Sequence, residues 1–283
     1  MKVFEKKMDG KYNVRIDKFG GIDEMVRFIE RTPADEGFED TVSGTREMRR
    51  EFNGAESFEE AREYIKKGVN IKDIAVAINS GERDYSKKSK MRHVSGGAPC
   101  VPAAVSSDPR AMYMKRNERI TGAYNIFVNC GVNCGVTPRE IKLAGIEILK
   151  EVVRISAFKP VNLYVGATAI DHSHRNVIGY GMQIMDAGKS FNVARVSYAL
   201  TEAGFLRTFG FAMYERSRGM WSSSENCGLG YPLANIDGEL NKRVLGAAFK
   251  NMIYVNMADV VNDARNKRKD KKGNALKELE AIR

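Results

Sequence analysis

The sequence predicts an α/β fold: a Rossmann-like, mostly parallel sheet flanked by helices, with an α+β extension at its N-terminus. Residues 124–128 form an apolar, β-rich run, residues 139–158 have helical periodicity, and residues 161–167 form a second apolar run. A strand, a helix and a strand in this order make a βαβ unit, whose two strands are parallel. Parallel sheets bind ligands at the loops that follow their strands, so the loop after residue 128 is the predicted site.

The predicted helix over residues 139–158 has a defined beginning and a buried face. Thr137 is the expected N-cap, Pro138 takes the first helical position, and Glu140 completes a capping box. Apolar or small residues then recur at helical spacing, at Ile141, Gly145, Ile148, Val152 and Ile155.

The first part of the chain lacks the alternation of strands and helices that the rest shows. Residues 1–120 are predicted to form the α+β extension, which carries a basic loop, and residues 121–283 are predicted to form the main α/β domain. Within the extension, a hairpin arm is expected over residues 1–17. Helices are expected over residues 21–31 and 57–67, each with apolar residues on one face.

The rest of the main domain alternates between strands and helices. Strand character marks residues 177–185 and 252–256, and helical periodicity marks residues 192–201, 205–214 and 240–249. A stretch rich in glycine and serine over residues 217–238 holds Trp221, the only tryptophan. A basic helix is expected at the C-terminus.

The composition is that of an ordinary soluble globular protein, with 43% hydrophobic and 29% charged residues. No apolar run reaches the roughly 18 residues that a membrane span needs, and the N-terminus lacks an apolar signal core. The four cysteines, Cys100, Cys130, Cys134 and Cys227, are few for this length, which favours a reducing cytoplasm. The expected location is the cytoplasm, with no membrane partner.

The chain carries a net charge of +10 and has a pI near 9.3. This balance favours acidic partners, such as nucleic acid or an acidic protein face. Basic residues cluster within residues 83–92 and 265–272, and the alternative interpretation of these clusters is a solvated loop and a solvated helix. If nucleic acid binds, we expect phosphate contacts from Lys87, Lys88, Lys90, Arg92, Lys267, Arg268 and Lys269.

The loop NCGVNCG over residues 129–135, and the order of elements around it, resemble a von Willebrand factor A-like domain. In that family the first loop reads Asp-x-Ser-x-Ser and holds a divalent metal ion. The resemblance places Asn129 at the aspartate position, and it places Gly131 and Asn133 at the two serine positions. The lead carboxylate and both hydroxyls are therefore missing.

The remaining ligands of that family are a threonine from a second loop and an aspartate after a later strand. The resemblance assigns the first role to Thr201 or Thr208 and the second to Asp259. Magnesium prefers hard oxygen ligands that include a carboxylate. The incomplete set implies an A-like domain without a metal, and no other cofactor is expected.

Other segments extend the resemblance over most of the chain. VNLYVGATA over residues 161–169, GGAPCVPAAVSSDPRAMYM over residues 96–114 and the segment over residues 185–215 resemble a group of phage and prophage proteins with this A-like domain. The resemblance implies a viral or mobile-element setting. It implies no particular reaction.

No standard catalytic motif is present. The G-x-S-x-G elbow is absent, and Gly188, Lys189 and Ser190 supply only the end of a P-loop. His172 and His174 lie between two predicted strands, but no third metal ligand is predicted beside them. We therefore predict no catalytic residue.

The predicted function is that of a non-enzymatic interaction or adaptor protein of phage type. The resemblance implies a protein partner such as a ring-shaped AAA+ ATPase. The alternatives are a nucleic-acid-binding protein of a phage and a catalytic domain of unidentified residues. The expected binding face comprises the first loop with Thr201, Asp259 and Trp221, and Asn129→Lys or Asn133→Lys is expected to abolish binding without lowering the melting temperature.

Overall fold

A computed structural model describes residues 1–67, 90–93, 98–99, 105, 112–115, 123–156, 159–171, 173–187, 193–216, 231–267 and 274–282. Its strands are β1 (Lys2–Met8), β2 (Tyr12–Phe19), β3 (Lys90–His93), β4 (Ala98–Pro99), β5 (Met112–Lys115), β6 (Tyr124–Asn129), β7 (Val161–Ile170), β8 (Asn176–Met185), β9 (Tyr231–Pro232) and β10 (Ile253–Asn256). The main sheet has seven strands. Its order is β1–β2–β8–β7–β6–β10, with β9 paired to β7, and a smaller sheet has the order β3–β5–β4.

The main sheet is mixed in direction. β6 pairs in parallel with β7 and with β10, and β2 pairs in parallel with β8. β1 is antiparallel to β2, and β7 is antiparallel to both β8 and β9. β7 and β8 run in opposite directions because the connection between them is short, and parallel neighbours need a much longer crossover. The α/β class is confirmed, but the sheet is mixed rather than mostly parallel.

Helices flank the sheet on both faces. They are α1 (Ile22–Arg31), α2 (Arg50–Asn53), α3 (Phe58–Lys67), α4 (Pro138–Ser156), α5 (Val193–Thr201), α6 (Phe211–Tyr214), α7 (Leu233–Ile236), α8 (Gly238–Ala248), α9 (Met257–Lys267) and α10 (Lys277–Glu280). A π-helical segment, Phe205–Gly210, leads directly into α6. Among the described helices, none is long and apolar enough to cross a membrane.

α4 begins where the sequence predicts. The Glu140 N–H donates to Thr137 Oγ1 over 3.3 Å, and the Thr137 N–H donates to Glu140 Oε2 over 2.9 Å. These reciprocal bonds form the expected capping box. The helix connects β6 to β7, which pair in parallel from Tyr124 opposite Val161 to Asn129 opposite Gly166. The predicted βαβ unit is therefore present.

The first two strands, β1 and β2, belong to the main sheet. β1 and β2 form a hairpin, and β2 continues the sheet by pairing with β8 from Asn13 opposite Asn176 to Phe19 opposite Met182. α1 and α3 contribute buried side chains to the same hydrophobic core as α4 and α5. Residues 1–67 thus share one sheet and one core with residues that follow position 120.

The two faces of the sheet bury different helices. The larger core contains side chains of α1, α3, α4, α5 and the π-helical segment, together with Val165 of β7. The smaller core lies around α8, whose Val244 packs in one cluster with Phe127 of β6. Each such side chain contributes about 1.5–3 kcal/mol when fully buried. A helix layer on each face leaves the strand ends as the accessible edges of the sheet.

α4 and α5 approach each other unusually closely at Gly145. A Cβ atom at this position would lie 2.0 Å from the Leu200 carbonyl oxygen and 3.0 Å from the Thr201 Cα atom. No side chain larger than hydrogen fits at that distance. The glycine therefore sets the separation between these two helices, and α5 leads on to the π-helical segment beside the predicted site.

Candidate binding site at the carboxyl ends of the central strands

The carboxyl ends of β6, β7 and β10 meet at one edge of the sheet, because these strands are mutually parallel. The chain leaves β6 through α4 to reach β7 on one side, whereas β10 lies on the other side. In open α/β sheets a ligand crevice forms where the strand order reverses in this way. The loop after β6, residues 130–136, is called the first loop below, and it begins at this point.

A chain of amide hydrogen bonds links the ends of β6 and β10. Asn129 is only 1% exposed, and its Oδ1 accepts from the Gly131 N–H over 3.1 Å. Its Nδ2 donates to Asn256 Oδ1 over 3.3 Å. The Asn256 Nδ2 in turn donates to Asp259 Oδ2 over 3.1 Å. The structure thus brings together Asn129, Gly131 and Asp259, which the sequence had assigned to one site.

The same network extends to α8. Asn256 Oδ1 also accepts from the Asn241 Nδ2 over 3.2 Å, and Asn241 Oδ1 accepts from the Thr168 hydroxyl over 2.6 Å. Both Asn241 and Thr168 are buried. A buried amide or hydroxyl without a partner costs about 1–3 kcal/mol, so these bonds fix the three strand ends to α8. Sequence reasoning missed Thr168, Asn241 and Asn256.

The first loop turns outward after Gly131. Asn133 is exposed, and its Oδ1 accepts from the Gly135 N–H over 3.1 Å, which closes a turn within the loop. The Gly135 carbonyl accepts from Arg265 of α9, and Arg265 also binds Glu140 of α4. That hydrogen bond from Arg265 lowers the pKa of Glu140 to about 2. Residues 133–135 are therefore exposed yet held at a fixed place.

The residues at the expected ligand positions do not fit a magnesium ion. The Asn129 oxygen is buried and accepts from a backbone N–H, and Gly131 has no side chain. Asn133 Oδ1 accepts from the loop itself. Asp259, the only carboxylate of the network, is exposed and bonded to Asn256. Among the described residues, no group of three or more histidine, cysteine, aspartate or glutamate side chains is placed to hold a metal.

The two candidate threonines contact other parts of the chain. The Thr201 hydroxyl donates to Glu202 Oε1 over 3.4 Å, at the end of α5. The Thr208 hydroxyl donates to the Asn53 carbonyl over 3.4 Å, from the π-helical segment. Both threonines are buried. Neither hydroxyl therefore bonds to the first loop.

A cavity of about 550 Å³ lies beside the first loop. We call it the first-loop cleft, and its lining comes from the first loop, the carboxyl end of β7, β9, the π-helical segment and α6. The volume is within the roughly 300–1,000 Å³ typical of small-molecule sites. π-Helical turns also occur frequently at functional sites. The sequence predicted an ordinary helix over residues 205–214, so this part of the site was missed.

Arg207 of the π-helical segment lines the first-loop cleft and is only 2% exposed. Its guanidinium donates to the carbonyls of Phe52 and Val136, and it stacks over the Phe52 ring at 3.9 Å. Burial lowers the pKa of Arg207 to about 10, so the group keeps its charge at neutral pH. Its side chain ties the end of the first loop to the residues before α3.

A buried ion cluster supports the far side of the cleft. Glu215 is 0% exposed and accepts from Arg46, from Arg216 and from the Thr41 hydroxyl. Arg216, which is 1% exposed, also binds Asp40. The only sequence signal for this cluster is a Glu–Arg pair that follows an apolar run, FAMYER. The cluster fastens residues 40–46 to the end of α6.

Several predicted binding residues lie outside the described residues or have only a described backbone. Trp221, Lys87, Lys88, Arg268 and Lys269 lie outside. Lys90 and Arg92 lie on β3, and Lys267 is the last residue of α9. Their proposed contacts stay predictions.

One expectation about variants must be corrected. Asn129→Lys would place a charged side chain where a buried amide bonds to Gly131 and Asn256, so it would lower the melting temperature. Asn133→Lys remains a clean probe of the surface because Asn133 is exposed.

Comparison with known proteins gives a family but no function. Residues 5–281 match the model of a family described as Domain of unknown function (DUF7192), so the chain belongs to this family. No curated protein and no solved structure matches it.

Proposed function

We propose that this member of the DUF7192 family is a non-enzymatic adaptor that binds a protein partner through its first loop. One observation carries the proposal. The first loop starts at the point where the strand order reverses, and hydrogen bonds to the strand ends and to α9 hold its exposed residues in a fixed position. The network from Asn129 through Asn256 to Asp259 fixes its start, and Arg265 fixes Gly135. A rigid exposed loop can bind a partner with little loss of conformational entropy.

The chemistry of the network supports binding rather than a reaction. Its central groups are the side-chain amides of Asn129, Asn241 and Asn256 and the hydroxyl of Thr168. Side-chain amides do not change their protonation state near neutral pH, so they position groups but do not serve as general acids or bases. The proposed role of this network is therefore structural support of a binding surface.

The A-like assignment and the partner class are parts of the same proposal. From β6 to α9 the elements run strand, helix, two strands, helices, strand and helix, the order on which the sequence resemblance rests, although the short β9 and the mixed sheet depart from it. The resemblance implies a phage or mobile-element setting and a ring-shaped AAA+ ATPase as partner. A metal-less first loop suits an adaptor, because binding would then depend on shape and hydrogen bonds.

The net charge of +10 favours a second candidate function, binding to nucleic acid. The two proposals predict different salt dependence. Phosphate contacts release counterions, so nucleic-acid affinity falls steeply with salt, whereas adaptor binding should survive moderate salt. A captured complex that nuclease treatment removes would favour the second candidate.

The test is affinity capture from host-cell extract with wild type and Asn133→Lys, followed by identification of the captured proteins. Asn133→Lys adds bulk and charge to the exposed first loop and should abolish capture of the specific partner. The melting temperature should stay unchanged, because Asn133 is exposed and its bonds lie within the loop.

The control is Lys159→Asn, which changes the charge by one unit just before β7, at the opposite edge of the sheet. Lys159 is also exposed. This variant should capture the partner as wild type does. Equal capture by wild type and both variants would place the interface elsewhere and refute the proposal.

A further inference from the structure

We infer that the first-loop cleft binds a small organic oxyanion, a carboxylate or phosphate attached to an apolar body, with Arg207 as its charged anchor. The site lies beside the exposed loop to which the protein partner is assigned. The inference does not rest on the proposed adaptor function, because it concerns the interior of the cleft rather than its rim.

The first step is the charge of Arg207. Its side chain is almost fully buried, and among the described residues no carboxylate pairs with it. Among the described residues, the guanidinium bonds to the carbonyls of Phe52 and Val136 and stacks on the Phe52 ring. A buried charge without an opposite charge is costly unless something else compensates it. An anion in the cleft would supply that compensation.

The other arginines nearby are already neutralised. Arg46 also lines the cleft, but its guanidinium binds Glu215 over 2.7 Å. Arg216 is paired with Asp40 and with Glu215. Of the described arginines in this region, Arg207 is thus the one without a carboxylate partner. Its planar N–H groups match the geometry of a carboxylate or a phosphate.

The first loop supplies further donors to the same cavity. Val132, Asn133 and Cys134 line the cleft, and no described residue accepts a hydrogen bond from the backbone N–H of any of them. Successive backbone N–H groups of a loop form anion-binding concavities in many proteins. The residues that carry these donors line the same cavity as Arg207, so the loop and the arginine can share one anion.

The rest of the lining indicates that the ligand carries an apolar group beside its charged group. Val132, Leu206, Phe211 and Pro232 give the cleft an apolar wall. A free inorganic ion would leave this wall in contact with water, whereas an aromatic or aliphatic group would cover it. Removing apolar surface from water favours binding. The cleft therefore favours an oxyanion with an apolar body over phosphate alone.

A second cavity, of about 490 Å³, lies at the opposite edge of the sheet, between the carboxyl ends of β2 and β8. Acidic residues including Asp23, Glu24 and Asp186 line it. Its Arg195 is bonded to Asp23 through both terminal nitrogens. Arg27 also lines that cavity, but its three carboxylates, Asp23, Glu24 and Asp186, outnumber its two arginines, so the oxyanion is assigned to the first-loop cleft.

Cys134 allows occupancy to be measured directly. Its thiol is exposed and lines the cleft, whereas Cys130 is buried and burial raises its pKa to about 12. Iodoacetamide should therefore modify Cys134 and leave Cys130 unreacted. The rate at Cys134, followed by mass spectrometry of the peptide, reports how much of the cleft is free.

The experiment compares phenyl phosphate, benzoate, inorganic phosphate and the neutral benzyl alcohol on the full chain. Phenyl phosphate or benzoate should slow alkylation of Cys134 by the factor 1 + [L]/Kd and should raise the melting temperature. Inorganic phosphate should act more weakly, and benzyl alcohol should have no effect. The ranking of phenyl phosphate against benzoate identifies the preferred head group.

Arg207→Gln should weaken protection by about 10- to 100-fold, because a hydrogen-bonded charge is lost. Arg207→Lys keeps the charge and should retain part of the protection. If Arg207→Gln does not fold, the wild-type series still decides the question. Equal protection by benzyl alcohol, or no protection by either aryl anion up to roughly 10 mM, would overturn the inference. Loss of partner capture by itself would not overturn the inference, because the adaptor proposal is tested separately, at Asn133.

Discussion

Asn129 joins two strand ends and a loop through one amide group. Its oxygen accepts from Gly131, its nitrogen donates to Asn256, and the side chain is buried. An aspartate in its place would bring a negative charge next to the Asn256 oxygen and could not donate the second bond. The asparagine is thus suited to holding the first loop in place rather than to binding a cation.

We predict that Asn129→Ala lowers the free energy of unfolding by about 1–3 kcal/mol, because Gly131 and Asn256 each lose a buried partner. Urea unfolding of both proteins measures the change. Asn133→Ala in the same loop is the control, and it should stay within about 0.5 kcal/mol because Asn133 is exposed. Equal losses in the two variants would contradict the network.

At the residue scale, the positions of the network residues could be predicted only in part from the sequence. Asn129 and Asp259 could be predicted to lie together, because each follows a strand with its carboxyl end at the same edge. Thr168 and Asn241 could not, since nothing local indicates which buried polar side chains will meet across 73 residues. The pairing of Glu215 with Arg46 could not be predicted for the same reason, because the two residues are 169 positions apart.

The π-helical segment is the element that shapes the first-loop cleft. It places Leu206 and Arg207 on the cleft wall, and Gly210 gives room to the buried Tyr180 hydroxyl, which a Cβ atom would approach to 2.5 Å. A widened turn of this kind inserts a residue into a helix and is often found at functional sites. Periodicity over ten residues cannot distinguish it from an ordinary helix.

A substitution at Gly145 tests how closely α4 and α5 pack beside the π-helical segment. Gly145→Ala should destabilise the protein by roughly 1–3 kcal/mol, although alanine favours helices, because its methyl group would clash with the Leu200 carbonyl. Thermal or urea unfolding measures the change.

The matched control is Gly246→Ala in α8, where the nearest atom to an added Cβ is the Tyr254 hydroxyl at 3.9 Å. This substitution should stabilise the protein by up to about 1 kcal/mol. Stabilisation by both substitutions would show that α4 and α5 are not in close contact.

Elements with local signals were predicted well. α4 begins at its capping box, and α1 and α3 lie within a residue of their expected bounds, because caps and periodicity are encoded in neighbouring residues. Strand direction was not encoded locally. The pairing of β2 with β8 joins residues more than 160 positions apart, and neither strand contains a signal for its partner.

At the scale of the whole molecule, the two edges of the mixed sheet differ in the charged groups beside them. The carboxyl ends of β6, β7 and β10 lie at one edge, beside the first-loop cleft and the buried Arg207. The carboxyl ends of β2 and β8 lie at the other edge, where carboxylates line the cavity. The sequence predicted the first edge from its βαβ unit, but it did not predict the second.

The proposed protein partner should cover the first loop. Hydrogen–deuterium exchange of the protein alone and of its captured complex measures this directly, since bound partners slow exchange at the amides they cover. We predict slower exchange across residues 131–135 in the complex, with no change across residues 159–163 at the opposite edge. Protection confined to residues 1–67, with the first loop unchanged, would contradict the account.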